Sequence, residues 1–381
     1  VVRVLLVAPS IKILGGQALQ AACLFRHLLD EATIEVGFVP HNPALPGPLR
    51  WLQSIKYLRT IITSLMYWSL LLLNVPRYDL IHVFSASYFS FLLAPAPAMF
   101  FAKLFRKKCV LNYHSGEAED HFRCWPRTAI PLVRLADNVI VPSEYLVKVF
   151  AKFGVEAGAI SNMIDIDHFT YRERTSLKPR FLSNRNLYPL YNVACILKAF
   201  AIIQKEYPDA SLVLAGDGKE RSNLARLAQE LGLRNVTFTG LVPPDEMPKL
   251  YDAADIFLNS SNIDNMPGSI LESFASGLPV VTTNAGGIPY IVSHEKTGLL
   301  VSRDDHEALA EAALRLLRDP AFATAITTRA YSEVGQYTWP AVRDDWVNLY
   351  EKLDQGLQPS HRKTSHDEPL ETRAFVDQRR N

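Results

Sequence analysis

Two α/β domains, each a parallel sheet flanked by helices in the Rossmann-like manner, are what this chain predicts. Three observations carry that expectation. Its 381 residues exceed what one ordinary core accommodates, and at 48% hydrophobic they are too apolar for disorder. Short apolar runs alternate with helical patterns, as βαβ units require. The series then breaks at the charged stretch 165–179 and restarts at residue 180.

The first series opens with a strand at 2–9, a helix at 17–30 and a strand at 33–39. Further strands are expected at 79–85, 108–114 and 138–142, each short, apolar and bounded by a turn or helix signal. The second series reads strand 180–183, helix 193–206, strand 211–215 and helix 220–231. It continues with strands 236–239, 255–259 and 279–283, alternating with helices 245–254 and 268–276. Helical patterns at 305–318 and 339–353 close the chain. The domains are therefore expected at 1–168 and 176–335, with a terminal helix over 338–353 packing back on the first. Residues 354–381 carry few large apolar side chains and are expected to be disordered.

Forty basic residues balance thirty-nine acidic ones, so no global field favours nucleic acid. Cys23, Cys109, Cys124 and Cys195 show neither a C-x-x-C pair nor zinc spacing, which suits reduced thiols in a reducing, cytoplasmic compartment. The opening Val-Val-Arg-Val-Leu-Leu-Val reads as a buried strand rather than an export signal. The apolar stretch 61–73, interrupted by Thr63, Ser64 and Ser69, is expected to fall short of the roughly 18 to 20 residues a spanning helix needs. Residues 84–102, with Pro95 and Pro97, read as a buried strand, loop and helix.

In open parallel sheets ligands lie beyond the carboxyl ends of strands. Gly15-Gly16 follows the first strand and opens a helix. Either the pair lets a phosphate or sugar approach the backbone, or it makes a tight turn. The loop Gly216-Asp217-Gly218 also lies between strand and helix, but Arg221 stands where a dinucleotide fingerprint has its third glycine, which argues against a nicotinamide enzyme. The most informative stretch runs from Asn259 through Asp264, Asn265, Pro267 and Gly268 to Glu272. A helix beginning at Gly268 offers the N–H groups of Gly268, Ser269 and Ile270 to a diphosphate. Carboxylates beside a phosphate would repel it, so Asp264 and Glu272 answer sugar hydroxyls; alternatively Asp264 caps the helix and Glu272 is solvated.

An acid, seven residues, Glu, and then Ala275-Ser-Gly-Leu-Pro-Val-Val resembles the signature of glycosyltransferase family 4. The resemblance extends to Gly15-Gly16, Val141-Pro142-Ser143, Leu214-Ala-Gly216-Asp-Gly, Phe238-Thr-Gly240, Tyr251-Asp-Ala-Ala-Asp255, Gly286-Gly287-Ile-Pro289 and Gly298-Leu-Leu-Val301. These stand in the family's order over roughly residues 1–353. It implies the GT-B fold, two Rossmann-like domains facing a central cleft, and metal-independent transfer of a sugar from a nucleotide diphosphate with retention at the anomeric carbon. No cofactor is implied beyond that co-substrate. The acceptor would be a glycan or lipid-linked glycan in cell-surface polysaccharide or glycolipid synthesis.

Carried over by position, Glu272 would hold the ribose hydroxyls and Asp264 a hydroxyl of the donor sugar. Asp264 departs from the usual Glu by one methylene. His114, at a strand end in Asn112-Tyr-His-Ser-Gly-Glu117, matches the family histidine near the transferred sugar, although a lone histidine is more often structural. Arg185 matches the arginine that grips the diphosphate. Relatives place Lys-Gly five or six residues later, where this chain has Leu190, Tyr191 and Asn192, so the second cation is missing unless one such as Lys12 replaces it. Gly216, Gly240, Val242 and Asn265 complete the expected donor site, and Glu117 and Asp120 the acceptor side. Asp165-Ile-Asp167 matches the family's linker segment rather than a metal motif, and no metal site is expected.

Two alternatives remain at this stage: a non-catalytic sugar-binding protein on a degenerate scaffold, and a nucleotide-sugar epimerase of the same fold. Arg50, Lys56, Arg59, Arg106, Lys107 and Lys108 lie beside apolar segments. Either they form a surface for anionic lipid, which would hold the protein at the inner face of the cell membrane, or they are solvated helix ends.

Overall fold

The computed structural model describes residues 1–10, 15–45, 47, 51, 54, 55 and 57–357. Lys12, Arg50, Lys56 and residues 358–381 of the expected tail lie outside the described residues. The chain divides into two units: one takes Val1–Met163 and the described residues from Val342 to Leu357, the other Ile164–Ala341.

The first unit is built on a six-stranded parallel sheet of β1 (Val2–Ala8), β2 (Ile34–Pro40), β3 (Leu80–Ser85), β4 (Lys108–Tyr113), β5 (Asn138–Val141) and β6 (Gly158–Ala159). The strands lie in the order β2-β1-β3-β4-β5-β6. β3 is buried along its whole length, because helices cover both faces of a parallel sheet. His82 within it is met from the terminal helix Trp339–Asp354: its Nδ1 lies 2.7 Å from the Tyr350 hydroxyl, and its ring stacks on Trp346.

The second unit repeats the plan with β7 (Arg180–Asn184), β8 (Ser211–Ala215), β9 (Val236–Gly240), β10 (Ile256–Asn259), β11 (Val280–Thr283) and β12 (Leu299–Val301). Their order is β12-β11-β10-β7-β8-β9, all parallel. The order of the strands thus reverses at β7, which pairs with β8 on one side and β10 on the other. Its core is the buried Phe181, Leu197, Phe200, Leu258 and Leu309 on one side and Leu182, Tyr251, Phe257, Ile270 and Phe274 on the other.

The division between units falls after Met163 rather than at the expected 168, for a local reason. Met163 is clamped by Gln20, whose amide donates to its carbonyl at 2.7 Å and accepts from its N–H at 2.8 Å. Ile164 donates instead to Tyr337, in the other unit's own framework, at 2.8 Å. Arg174 then pins the linker. Its buried guanidinium donates to the carbonyls of Tyr251, Ala254, Ser276, Gly277 and Arg172.

Two sequence expectations are corrected. Residues 61–73 were too narrowly bounded: a helix runs Leu58–Asn74 and continues as a 3-10 turn through Arg77, a 20-residue segment long and apolar enough to cross a membrane by length and composition. Its serines do not break it, since Ser69 returns its hydroxyl to the Leu65 carbonyl at 2.9 Å. Pro95 does interrupt its apolar run, as expected: the helix Tyr88–Leu93 ends at Ala94, and Pro95 opens the next, Pro95–Leu104, where a missing N–H has no cost. Residues 354–357 close the terminal helix, with Gly356 at φ 74° and Leu357 donating to the Lys352 carbonyl, instead of starting a disordered tail.

Candidate active site

At the point where strand order reverses, loops leaving neighbouring strands diverge and open a crevice at their carboxyl ends. In the second unit that point lies between β7 and β10, and Arg185 and Asp264 sit immediately beyond these two strands. The Arg185 guanidinium donates through its Nη2 to the Asp264 carboxylate and through Nη1 to the Ser269 hydroxyl at 3.4 Å. Both side chains of the ion pair are 11% exposed. Asp264 also accepts from Ser261 Oγ at 3.1 Å and from the Asn265 N–H at 2.9 Å.

Asp264 is therefore no helix cap. The helix Gly268–Ala275 begins at Pro267 without any side-chain capping bond. Ile270, expected among the free N–H groups, already donates to the Pro267 carbonyl at 3.2 Å, and its side chain is core. Asn265 is placed by its own carbonyl, which lies where a Cβ on Gly287 would stand.

Glu272, one turn further, is oriented from below. The Tyr251 hydroxyl donates to its Oε2 at 2.5 Å, and Asn184 Nδ2 reaches the same oxygen at 3.4 Å. Burial raises the Glu272 carboxyl above the usual range, while these two donors and Arg185 pull it back. Burial also raises the Tyr251 phenol well above its ordinary value, so it stays protonated and donates. Among the described residues no donor engages Oε1. Glu272 is not simply solvated.

Gly216 serves this site indirectly. A Cβ there would lie 2.2 Å from the Arg185 carbonyl, so its glycine lets the ends of β7 and β8 close on each other and places the arginine. Gly240, at φ 75°, accepts from the Gly216 N–H at 2.9 Å, and Val242 packs beside the cluster around Tyr251.

In the first unit, His114 follows β4 and its N–H donates to the Ser85 carbonyl at 3.1 Å. Its ring stacks on Phe84, which stacks in turn on His82. The ring lines a small recess with Asn112, Ser161 and Trp346. Burial lowers it to about 4, so the imidazole is neutral near pH 7, and its buried Nε2 has no partner among the described residues. Gly15 is extended at φ −177° and Gly16 opens the helix Gly16–Leu29; neither would crowd a Cβ. A tight turn does not explain the pair. Asp120 accepts from the Tyr88 hydroxyl, and Glu117, half-buried beside it, is raised chiefly by desolvation.

The contributions of Asn184, Tyr251 and Ser261 were not readable as site features from sequence. Tyr251 lies inside a family motif, but nothing in a spacing of 21 residues announces its bond to Glu272.

Residues 17–168 match the model described as Glycosyltransferase Family 4, and residues 169–333 that of Glycosyl transferases group 1. The chain belongs to glycosyltransferase family 4. Its two parallel six-stranded sheets are the GT-B fold, and it is similar to Anabaena HepE in complex with UDP-glucose at a TM-score of 0.74 and 20% identity, over 92% of this chain and 99% of that one. Among curated relatives, this family 4 chain is 35% identical over 166 residues to the D-inositol 3-phosphate glycosyltransferase of Corynebacterium urealyticum, covering 42% of this chain and 39% of the relative. It is 32% identical over 197 residues to the GDP-mannose-dependent alpha-(1-6)-phosphatidylinositol monomannoside mannosyltransferase of Mycobacterium tuberculosis, 49% of each. The chain thus spans about half or less of the length of these relatives.

Proposed function

We propose that this family 4 chain transfers a hexose from a nucleoside diphosphate to a glycan or lipid-linked glycan, with retention at the anomeric carbon and without a metal ion. The observation that carries the reading is the gathering of Arg185, Asp264, Ser269 and Glu272 at the β7/β10 switch point. The diphosphate meets the Arg185 fork and the uncapped N-terminus of the helix Gly268–Ala275. Arg185 is already paired with Asp264, so the arriving anion competes for the guanidinium and turns Asp264 toward a hydroxyl of the donor sugar. Glu272, held by Tyr251 through Oε2, keeps Oε1 for a ribose hydroxyl. As the sugar departs, negative charge grows on the diphosphate and its bonds to Arg185 strengthen, which is where turnover is gained. Neutral His114 would offer Nε2 to a sugar hydroxyl. The mannosyltransferase relative, whose name gives a phosphatidylinositol monomannoside acceptor, supports a lipid-linked acceptor.

Calorimetry with a panel of UDP- and GDP-hexoses, followed by an assay of nucleoside diphosphate release with and without chelator, tests this. Binding followed by acceptor-dependent release is expected. Binding without any turnover would favour the non-catalytic reading, and an altered sugar nucleotide formed without acceptor would favour an epimerase.

We further propose peripheral attachment to the cytoplasmic face of a membrane rich in anionic lipid. On the helix Leu58–Asn74 the exposed Ile61, Leu65, Trp68 and Leu72 recur at helical spacing, while Tyr67 and Leu71 are buried beneath. The neighbouring helix Pro95–Leu104 exposes Phe100 and Leu104, and Arg59 and Arg106 stand exposed beside these stripes. A helix so anchored by its buried residues lies along a bilayer interface, with cations at the headgroups. Sedimentation with phosphatidylserine vesicles should fall in a Trp68→Glu/Arg106→Glu variant. Equal sedimentation of both proteins, or none by the parent, would remove the idea.

A further inference from the structure

The turn after β7 resolves what stands where the family has its second cation. Residues Pro189–Tyr191 form a 3-10 turn that ends at Asn192 in the left-handed region, φ 47° and ψ 45°. That backbone favours glycine and tolerates asparagine, so Asn192 occupies the place of the glycine in the family's Lys-Gly pair, and Tyr191 that of the lysine. The Tyr191 ring does not point away. The Arg185 guanidinium carbon lies 4.2 Å from its centroid.

We propose that Tyr191 is the positioning residue of Arg185, holding the guanidinium by its π face and so replacing a second positive charge with a better-fixed single one. The inference rests on the donor-site reading given above.

Two features make the ring a rigid platform. The turn that carries it is tied from the opposite side of the switch point: Ser260 Oγ donates to the carbonyls of Tyr191 at 3.2 Å and Asn192 at 2.8 Å, and the Asn262 N–H donates to the Leu190 carbonyl at 2.8 Å. Asn192 is held in addition by Asp304, which accepts from its amide at 2.7 Å. A guanidinium held over an aromatic face leaves its N–H fork free to point outward, the presentation a diphosphate needs. With one face on Tyr191, Nη1 toward Ser269 and Nη2 toward Asp264, the fork has few other orientations. When the diphosphate displaces Asp264, Tyr191 stays as a restraint on the guanidinium.

A positioning role predicts a particular kinetic pattern. Tyr191→Phe keeps the ring and should hold kcat within about twofold. Tyr191→Leu should lower kcat about tenfold (~1.4 kcal/mol) while the donor KM moves less than about threefold, because orientation matters most as charge develops. In an Arg185→Ala background, Tyr191→Leu should cost nothing further, since the group it orients is gone. Tyr191→Lys, which restores the family's cation, should recover activity in that background. Four outcomes overturn the proposal: unchanged kcat in Tyr191→Leu; an equal loss in Tyr191→Phe; a loss in Tyr191→Leu that is repeated in full in Arg185→Ala; or no recovery by Tyr191→Lys. Absence of transfer by the parent protein would instead refute the donor-site reading. Because Tyr191 is only partly buried, circular dichroism of each variant serves as the folding control.

Discussion

Replacing Arg185 by alanine should damage turnover and stability through two separable routes. The guanidinium stabilises charge that develops on the diphosphate, and removal of one preorganised donor of this kind lowers kcat by about a hundredfold or more (~2.7 kcal/mol). The same deletion leaves Asp264, 11% exposed, without its cation. Loss of a partner from a fully buried pair costs about 3 to 5 kcal/mol. Here Ser261 and the Asn265 N–H still donate to the carboxylate, so about 1 to 2 kcal/mol is the reasonable scale. For a unit of this size that is a fall in Tm of roughly 2 to 8 °C. Adding Asp264→Asn removes the stranded charge and should return most of the Tm while leaving kcat low. Arg185→Lys should recover only part of kcat, because an ammonium cannot reproduce a two-pronged contact. Thermal denaturation and steady-state release of nucleoside diphosphate read the two routes. A folded Arg185→Ala protein with kcat within threefold of the parent (roughly 0.6 kcal/mol) would refute the assignment.

Other expectations follow from the same geometry. Tyr251→Phe removes the donor beneath Glu272 and should raise donor KM about three- to tenfold with little change in kcat, measured by calorimetry and kinetics together; an unchanged KM would deny Glu272 its role. Arg174→Leu removes a donor from five carbonyls, of which those of Ala254 and Ser276 keep a bond from Arg172, and should cost about 3 to 5 kcal/mol, seen as a lower urea midpoint; a midpoint within experimental error would show that solvent replaces it. Transfer should persist in excess chelator, because Arg185 and a helix terminus neutralise the diphosphate; loss of activity restored by magnesium would falsify this. His82 and His114 are lowered by burial to about 3 and about 4, from an ordinary 6.5. The unfolded chain therefore binds more protons between pH 6.5 and 4, and stability is lost as pH falls through that window by up to ~1.4 kcal/mol per unit for each histidine. A Tm that is the same at pH 7 and pH 5 would contradict it.

Much of the fold was legible because parallel strands buried on both faces announce themselves as short apolar runs, as β3 and β10 do. The break at a charged linker was visible too, but its position was not. Met163 and Ile164 are adjacent apolar residues, and only the clamp from Gln20 on one and the bond to Tyr337 on the other separate them. The helix Leu58–Asn74 was underestimated because hydroxyls that return to their own backbone look like interruptions in a hydropathy profile. At the site, spacing identified Asp264, Glu272 and Arg185 as candidates, since local motifs encode them. It could not reveal that Arg185 and Asp264, separated by 79 positions, hold each other, nor that an aromatic ring occupies the lysine's place and faces the arginine. Those are properties of the switch point, where two loops distant in sequence meet.

The central claim is that the β7/β10 site supports retaining transfer from a nucleoside diphosphate hexose. Proton NMR of a reaction containing such a donor and a glycolipid acceptor tests it most directly. One nucleoside diphosphate should appear for each acceptor glycosylated, with an α-linked product from an α-linked donor, and both signals should collapse in Arg185→Ala. An inverted linkage, or undiminished transfer by Arg185→Ala, would contradict the account.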